Sequence, residues 1–473
     1  MHRQQLPLVA LGTALVVALL WALAFPGVLG LRDMVVLDHP ALSTSTFGFG
    51  ATPARNAPQD GALALVGLVL PASWVARLAL VGAATACAVF SARFGATTWQ
   101  KAAAMTIGVY NPFVIERLLQ GQWSLAMAAW MLPVIAALGS RWRGQSLALW
   151  VASLTPTGLI LGIAVALWTS GRRWVTLLVG FVFSLPWLVP SLVAPPQAVG
   201  TSAFVARAES GVGTLGSLLG LGGMWNAEAV PASRESGFAW LGVILFALLF
   251  AYAPRRLQVL AMLGLGLTLL LTFGPTNAIV AHVPGAALFR DSHKVVALMI
   301  PALVAGAGRV GGATSYARPL AALAIVLSLG QIPDAPAALA ALKPVSAGPW
   351  RELPGRTLIT DGQSIVRYEG KVMVNPWLKA TDTIDSGVLV VDGGATETPN
   401  PEYLEAMAAW RSGDKESLQR LGIGTVIENG KETTIDVTAA TVRGSAWWAG
   451  LALSSLWLLS GVALLVAVAT RRR

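Results

Sequence analysis

One cysteine, four histidines and five tyrosines are spread over 473 residues, and only 12% of the chain is charged. The single Cys87, set in an apolar run, excludes a disulfide framework and a cysteine-based metal site. Scarce charge combined with 55% hydrophobic residues and a mean hydropathy of +0.65 excludes an ordinary soluble domain. Carboxylates are scarcest of all in the first two thirds: Asp33, Asp38, Asp60, Glu116, Glu209, Glu228, Glu235 and Asp291 are the only ones before residue 333. A net charge of +10 does not mark a nucleic-acid binder, because the basic residues are scattered in short loops between apolar runs, as membrane orientation requires.

What the chain does have is apolar segments. The first, Leu6 to Leu29, is long enough to cross a hydrocarbon core of about 30 Å, and no cleavage-site pattern follows it before Arg32, so it reads as a retained span. Further spans are expected at Ala72 to Phe94, Ala102 to Leu118, Ser124 to Leu138, Arg173 to Leu192, Phe238 to Tyr252, Leu257 to Phe273, Val295 to Ala307, Pro319 to Leu329 and Ala446 to Thr470. Gly61 to Leu70 is too short to cross and is expected at the interface. Gln145 to Trp168 is broken by Thr155-Pro156-Thr157-Gly158 and flanked by arginines at both ends. It reads as two short helices entering and leaving on one side, or as one kinked span.

The fold class expected is a polytopic α-helical membrane protein of about 10 to 12 membrane helices, some short and re-entrant. Placing both termini in the cytoplasm puts most loop arginines inside and all eight early carboxylates outside, with Arg55, Arg207 and Arg234 as outer exceptions and Arg77 inside a span. Composition shifts at Gln331-Ile332-Pro333, after which the other 15 of the 23 acidic residues are found. Short β-rich runs there alternate with a helical stretch, Pro401 to Leu421. The expected domains are a membrane module at 1–331, a small extracytoplasmic α/β domain at 332–445, and a last span with a basic cytoplasmic tail at 446–473.

Ionisable groups in a spanning helix cost roughly 2.5 to 3.5 kcal/mol each, so polar clusters at a membrane edge are functional candidates. Four such stretches stand out. The first loop carries Arg32, Asp33, Asp38 and His39; otherwise it is a solvated connection. Pro112 interrupts a span just before Glu116, Arg117, Gln120 and Gln122, and Glu116 and Gln120 share a helix face that could hold one polar ligand; otherwise this is an interfacial pair with an aromatic anchor. Arg290, His293 and Lys294 supply donors suited to a phosphate, or else snorkel at a helix end. A glycine-rich loop brings Trp225, which suits stacking on a sugar, though loop flexibility alone accounts for the glycines.

An acidic first outer loop, an outer Arg/His/Lys stretch before a late span and an extracytoplasmic C-terminal domain resemble the GT-C glycosyltransferases that use polyprenyl-phosphate sugars. Leu288-Phe289-Arg290-Asp291-Ser292-His293-Lys294 is similar to the Arg-x-x-His-Lys stretch of the α-(1→3)-arabinofuranosyltransferases of mycolic-acid-type cell envelopes. The resemblance covers roughly residues 1 to 330. It implies an inverting transfer at the outer face of the plasma membrane from a polyprenyl-phosphate sugar donor to a glycan or glycolipid acceptor. Asp33 matches the aspartate base, with Asp38 as its companion, and cationic groups receive the lipid phosphate. The usual adjacent acidic pair is missing, Asp33 and Asp38 being five residues apart, and so is the large carbohydrate-binding extension of the arabinofuranosyltransferases. The one cofactor the pattern allows is a divalent cation, Mg²⁺ or Mn²⁺, between Asp33 and Asp38; the sequence leaves its use open. A lipid-linked sugar transporter, or a non-catalytic scaffold with envelope-biosynthesis protein partners, is the alternative.

Overall fold

The computed structural model describes residues 6–50, 54–194, 202–275, 278, 286–362, 364–388, 390–391, 394–395, 398–435 and 443–470. Six of its helices are long and apolar enough to cross a membrane: Leu6–Ala24, Ala72–Phe94, Arg173–Val193, Arg255–Phe273, Ala317–Leu342 and Ser445–Ala469. Shorter apolar helices at Trp123–Leu138, Pro156–Thr169, Ala239–Phe250 and Ser292–Ala307 fill in between them. Large apolar side chains such as Val17, Leu78, Phe181, Leu263, Val326 and Leu459 face outward. A bilayer is the environment in which that belt is satisfied, and the chain is a polytopic helical membrane protein.

Two expected spans are shorter than their apolar runs. The first crossing ends at Ala24, and Leu29 belongs to a strand, because Phe25-Pro26-Gly27 stops the helix. The run from Ala102 to Leu118 is two helices, Thr98–Val109 and Pro112–Leu119. Asn111 joins them: its side-chain oxygen accepts from Val114 N at 3.1 Å, and its nitrogen donates to the Ile107 and Gly108 carbonyls, each at 3.1 Å. One residue thus serves the orphan carbonyls of one helix and an orphan N–H of the next.

The broken segment is a hairpin of two helices, Trp142–Ala152 and Pro156–Thr169. Gln145 Nε2, near its start, donates to Thr169 Oγ1 at 3.4 Å near its end, so the two halves run back along each other and the single kinked span is excluded. The last helix seals the hairpin's tip. Trp457 Nε1 donates to Ser153 Oγ at 2.7 Å, Trp150 Nε1 donates to the Trp457 carbonyl at 2.9 Å, and the two indoles stack at 4.6 Å. Irregular backbone at this depth is tolerated because protein covers it.

Within the apolar stretch Ala317–Leu342 the regular helix is Ala317–Gly330, followed by the short turns Ala335–Ala338 and Leu339–Leu342, where Trp21 Nε1 donates to Pro336 O at 2.9 Å. The α/β unit follows. Its four-stranded sheet contains β3 (Arg356–Ile359), β6 (Thr383–Ile384), β9 (Ile423–Glu428) and β10 (Lys431–Thr434), in the order β10-β9-β3-β6. Strand β3 is parallel to both β6 and β9, and β10 is antiparallel to β9. The expected helix over Pro401 to Leu421 is divided into Pro401–Ser412 and Lys415–Arg420 by Gly413, at φ 71°, a left-handed cap that glycine adopts without strain. Ala406, Met407 and Leu418 pack from these helices onto Leu358, Ile384 and Val426 of the sheet. A short antiparallel pair, β7 (Val390–Val391) and β8 (Gly394–Ala395), accompanies the sheet, and a separate antiparallel hairpin, β4 (Ile365–Tyr368) and β5 (Lys371–Val374), reaches the first loop of the membrane module.

Candidate functional site

The first loop forms a tight antiparallel hairpin of β1 (Leu29–Leu31) and β2 (Met34–Val36), with Arg32 and Asp33 at its tip. Arg32 is held at φ 46°, an uncommon conformation for a side-chain-bearing residue, and its surroundings fix it from two sides. Its N–H donates to Val372 O at 2.7 Å and its carbonyl accepts from Val374 N at 2.8 Å, so β5 is bonded directly to the tip. Its guanidinium donates to the carbonyls of Leu119 at 2.5 Å and Glu228 at 2.8 Å. On the other side Asp33 N donates to Gln120 O at 3.1 Å. Gly121, at φ 81°, permits that approach: a Cβ there would collide with Leu31 O and Met34 N.

The short helix Pro112–Leu119 supplies the adjoining wall. Arg117 is fully buried and forms a forked pair with Asp291, Nη1 to Oδ2 at 2.5 Å and Nη2 to Oδ1 at 3.2 Å. The same Nη1 donates to Gln122 Oε1 at 2.6 Å, and Nη2 donates to His293 Nδ1 at 2.8 Å. Because a guanidinium only donates, His293 Nδ1 is an acceptor and the ring's proton belongs on Nε2. Gln122 then turns its amide nitrogen to Asp33 Oδ2 at 3.0 Å. A continuous chain of polar contacts therefore runs Asp33–Gln122–Arg117–Asp291, with His293 as a branch.

Asp33 is open to water and also ringed by protein. Burial raises its carboxyl above the ordinary carboxylate range, while the bonds from Gln122 and Gln120 and the nearby Lys294 and Arg290 cations pull it back down. Burial also acts to raise Asp291, but the charges of Arg117 and Lys294 outweigh it and hold that carboxyl below its usual range. Lys294 makes no side-chain hydrogen bond or ion pair among the described residues, although it is near enough to act on both aspartates. The Arg290 guanidinium lies 4.3 Å from the centre of the Phe204 ring, whose other neighbour is Trp225, edge-on at 4.9 Å.

Several candidate residues are placed otherwise than the sequence reading expects. Glu116 and Gln120 do share a helix face, but the glycine-rich loop occupies it: Met224 N donates to Glu116 Oε2 at 3.1 Å and Asn226 Nδ2 to Gln120 Oε1 at 2.7 Å. Arg117 is committed to Asp291, Gln122 and His293, and His293 Nδ1 is committed to Arg117. Asp38 accepts from Ser73 and sits near Arg77, and His39 Nδ1 bonds to Gly67 O at 2.7 Å, so both residues anchor the loop to the helix Ala72–Ser91 and the segment before it. Asp33 and Asp38 have no common partner, and among the described residues no group of three or more His, Cys, Asp or Glu side chains is placed to hold a metal ion. These residues do not fit a shared divalent cation.

Three supports of the site carry no local signature in the sequence. Asp291 stands inside the basic stretch but, masked by its cationic neighbours, gives no sign of being the partner of Arg117. Glu209 and Arg234 form an ion pair with both side chains fully buried, which braces the glycine-rich loop. Their signal is the rarity of charge in this part of the chain, but the two partners stand 25 positions apart, beyond any local clue. The third is the β5 contact with Arg32, which no local pattern foretells. Beside that contact a cleft of about 600 Å³ is lined by Arg32, Glu228, Asp334, Arg367 and Lys371.

No family model, curated protein or solved structure gives a significant match to this chain.

Proposed function

We propose that this chain is a membrane glycosyltransferase that moves a sugar from a polyprenyl-phosphate donor to a hydroxyl of a glycan or glycolipid acceptor, at the outer face and with inversion. The observation that carries the reading is the placement of Asp33: an oriented carboxylate, open to water, with the Lys294 and Arg290 cations beside it. The acceptor oxygen attacks the anomeric carbon and the bond from that carbon to the phosphate oxygen breaks. The phosphate leaves with the bonding pair and the hydroxyl proton passes to Asp33. A carboxylate cannot deprotonate a free hydroxyl, so it takes the proton as the new bond forms. The departing phosphate needs no proton, only the positive charge of Lys294 and Arg290.

The test is sugar transfer from polyprenyl-phosphate donors by purified wild type and Asp33→Asn, with donor binding measured alongside. General-base loss costs about 10² to 10⁴ in rate and leaves donor binding intact. Equal transfer by the two proteins removes Asp33 from the mechanism. No transfer by wild type from any donor, with donor still bound, moves the reading to a non-catalytic scaffold or a transporter of lipid-linked sugar.

A further inference from the structure

The helices Arg173–Val193 and Arg255–Phe273 both begin beside the end of the helix Pro156–Thr169. Arg173, Arg255, Arg256, Trp168 and Val259 line a cavity there of about 400 Å³. Trp168 Nε1 donates to Arg256 O at 2.6 Å, which ties the end of one helix to the first turn of the other. None of the three guanidiniums has a hydrogen bond, ion pair or ring contact among the described residues. Nor is a counter-charge close in sequence: no Asp or Glu occurs from 117 to 208 or from 236 to 290, and neither helix has an acidic residue in its first turn. Two helix N-termini add their partial positive charge to the same place.

The surface continuing from this pocket is apolar. Leu177, Leu178 and Phe181 on one helix and Val259, Met262 and Leu263 on the other are exposed. The helix Pro156–Thr169 packs against both helices. Because apolar helices begin at Arg173 and Arg255, the cations sit at a membrane edge and the apolar surface lies along the hydrocarbon. Three exposed arginines around a cavity of this size, at the head of an exposed apolar helix surface, match a molecule with a phosphate head and acyl tails.

We propose that this pocket binds a glycerophospholipid whose headgroup carries net negative charge, the phosphate between the three arginines and the chains along the apolar surface. The site is independent of the transfer reaction.

The experiment is native mass spectrometry of the full chain in detergent, given equal phosphatidylglycerol and phosphatidylcholine. Wild type should retain phosphatidylglycerol with a preference above about tenfold, since each arginine near a headgroup adds roughly a factor of five. Arg173→Gln/Arg255→Gln/Arg256→Gln should lose that preference, while Arg141→Gln/Arg143→Gln, outside the pocket, should keep it. If the triple variant does not purify as a folded monodisperse protein, Arg256→Gln alone should lower the preference. Excess glycerol 3-phosphate should fail to displace the lipid. Displacement by that soluble anion would leave a phosphate site with no role for the acyl chains, overturning the lipid assignment. Equal loss in the control pair, or an unchanged ratio in the pocket variants, would mean that these arginines only orient the chain in the membrane.

Discussion

Gln122 donates its side-chain N–H to Asp33 Oδ2 at 3.0 Å while its oxygen is held at 2.6 Å by Arg117 Nη1. The amide cannot turn over without losing both bonds, so Arg117, buried and pinned by Asp291, sets the direction of a carboxylate it never touches. Gln122→Ala should free the Asp33 side chain and lower the transfer rate by about tenfold, the worth of one oriented hydrogen bond to a charged group, with donor affinity unchanged. Gln122→Glu should do more harm, since it sets a second negative charge beside Asp33. Steady-state rates with donor saturating would show it; full activity in Gln122→Ala would mean Asp33 is oriented by its backbone alone.

Arg117 is also where folding and function separate. Its removal strands Asp291 in the interior, and breaking a buried pair in this way costs about 3 to 5 kcal/mol. Arg117→Met should therefore lower the thermal midpoint in detergent whether or not the protein is an enzyme. Arg117→Lys should recover only part of the loss, because an ammonium cannot reproduce the forked pair and the bonds to Gln122 and His293. A midpoint unchanged in Arg117→Met would contradict the buried network.

The contrast between these residues shows how far the sequence could be read. Apolar runs and the scarcity of charge suffice for a helical membrane protein, and the break at Thr155-Pro156 narrows its segment to a hairpin or a kinked span, because both depend on local chemistry; the Gln145–Thr169 bond decides for the hairpin. Asp33, Gln122, Arg290 and Lys294 stand out as isolated polar groups, and the structure does bring them together. Which cation is already paired is not local: Arg117 and Asp291 are 174 residues apart, and Arg117 on sequence looks as free as Lys294. Asp33 and Asp38 fail in the opposite way. Their closeness in the chain suggests a pair, but the strand Met34–Val36 carries Asp38 away to Ser73.

The raised carboxyl of Asp33 makes a prediction in pH. A group whose folded pKa lies above its unfolded value favours the folded state below the unfolded value, and that contribution is lost as pH rises through the folded one. At neutral pH the ionised Asp33 is thus a burden on stability. Asp33→Asn should have a thermal midpoint at or above that of wild type at pH 7, and the difference should shrink toward pH 4. Transfer by wild type should fall as acid protonates the base, with a midpoint above the ordinary aspartate value of about 3.9. A variant less stable than wild type at pH 7 would assign Asp33 a structural role.

On the donor side, Arg290→Ala should weaken binding of a polyprenyl-phosphate sugar by about 1.5 to 3 kcal/mol, the scale of a charged hydrogen bond, and Lys294→Met should act similarly. Titration of purified protein with donor measures both. Affinity unchanged in both variants would reduce this cluster to a helix-end anchor.

The α/β unit reaches the site through β5, whose Val372 and Val374 bond to the backbone of Arg32 on either side of that residue. Two further ties hold it to the first loop, the Lys379–Asp60 ion pair and the bond from Ala41 N to Lys379 O at 2.8 Å. An uncommon backbone conformation persists only where its surroundings over-determine it, and β5 is one of those surroundings for Arg32. Replacing 336–439 with a short linker should therefore let the hairpin tip relax and lower transfer sharply through Asp33, while the donor still binds at Arg290 and Lys294. Val374→Pro, which removes the single N–H donated to Arg32 O, should reproduce part of the loss in an otherwise intact chain. Donor binding lost in a deletion variant that still runs as a folded monodisperse protein would place part of the donor site in the α/β unit. Full transfer by both variants would show that the unit does not position Asp33.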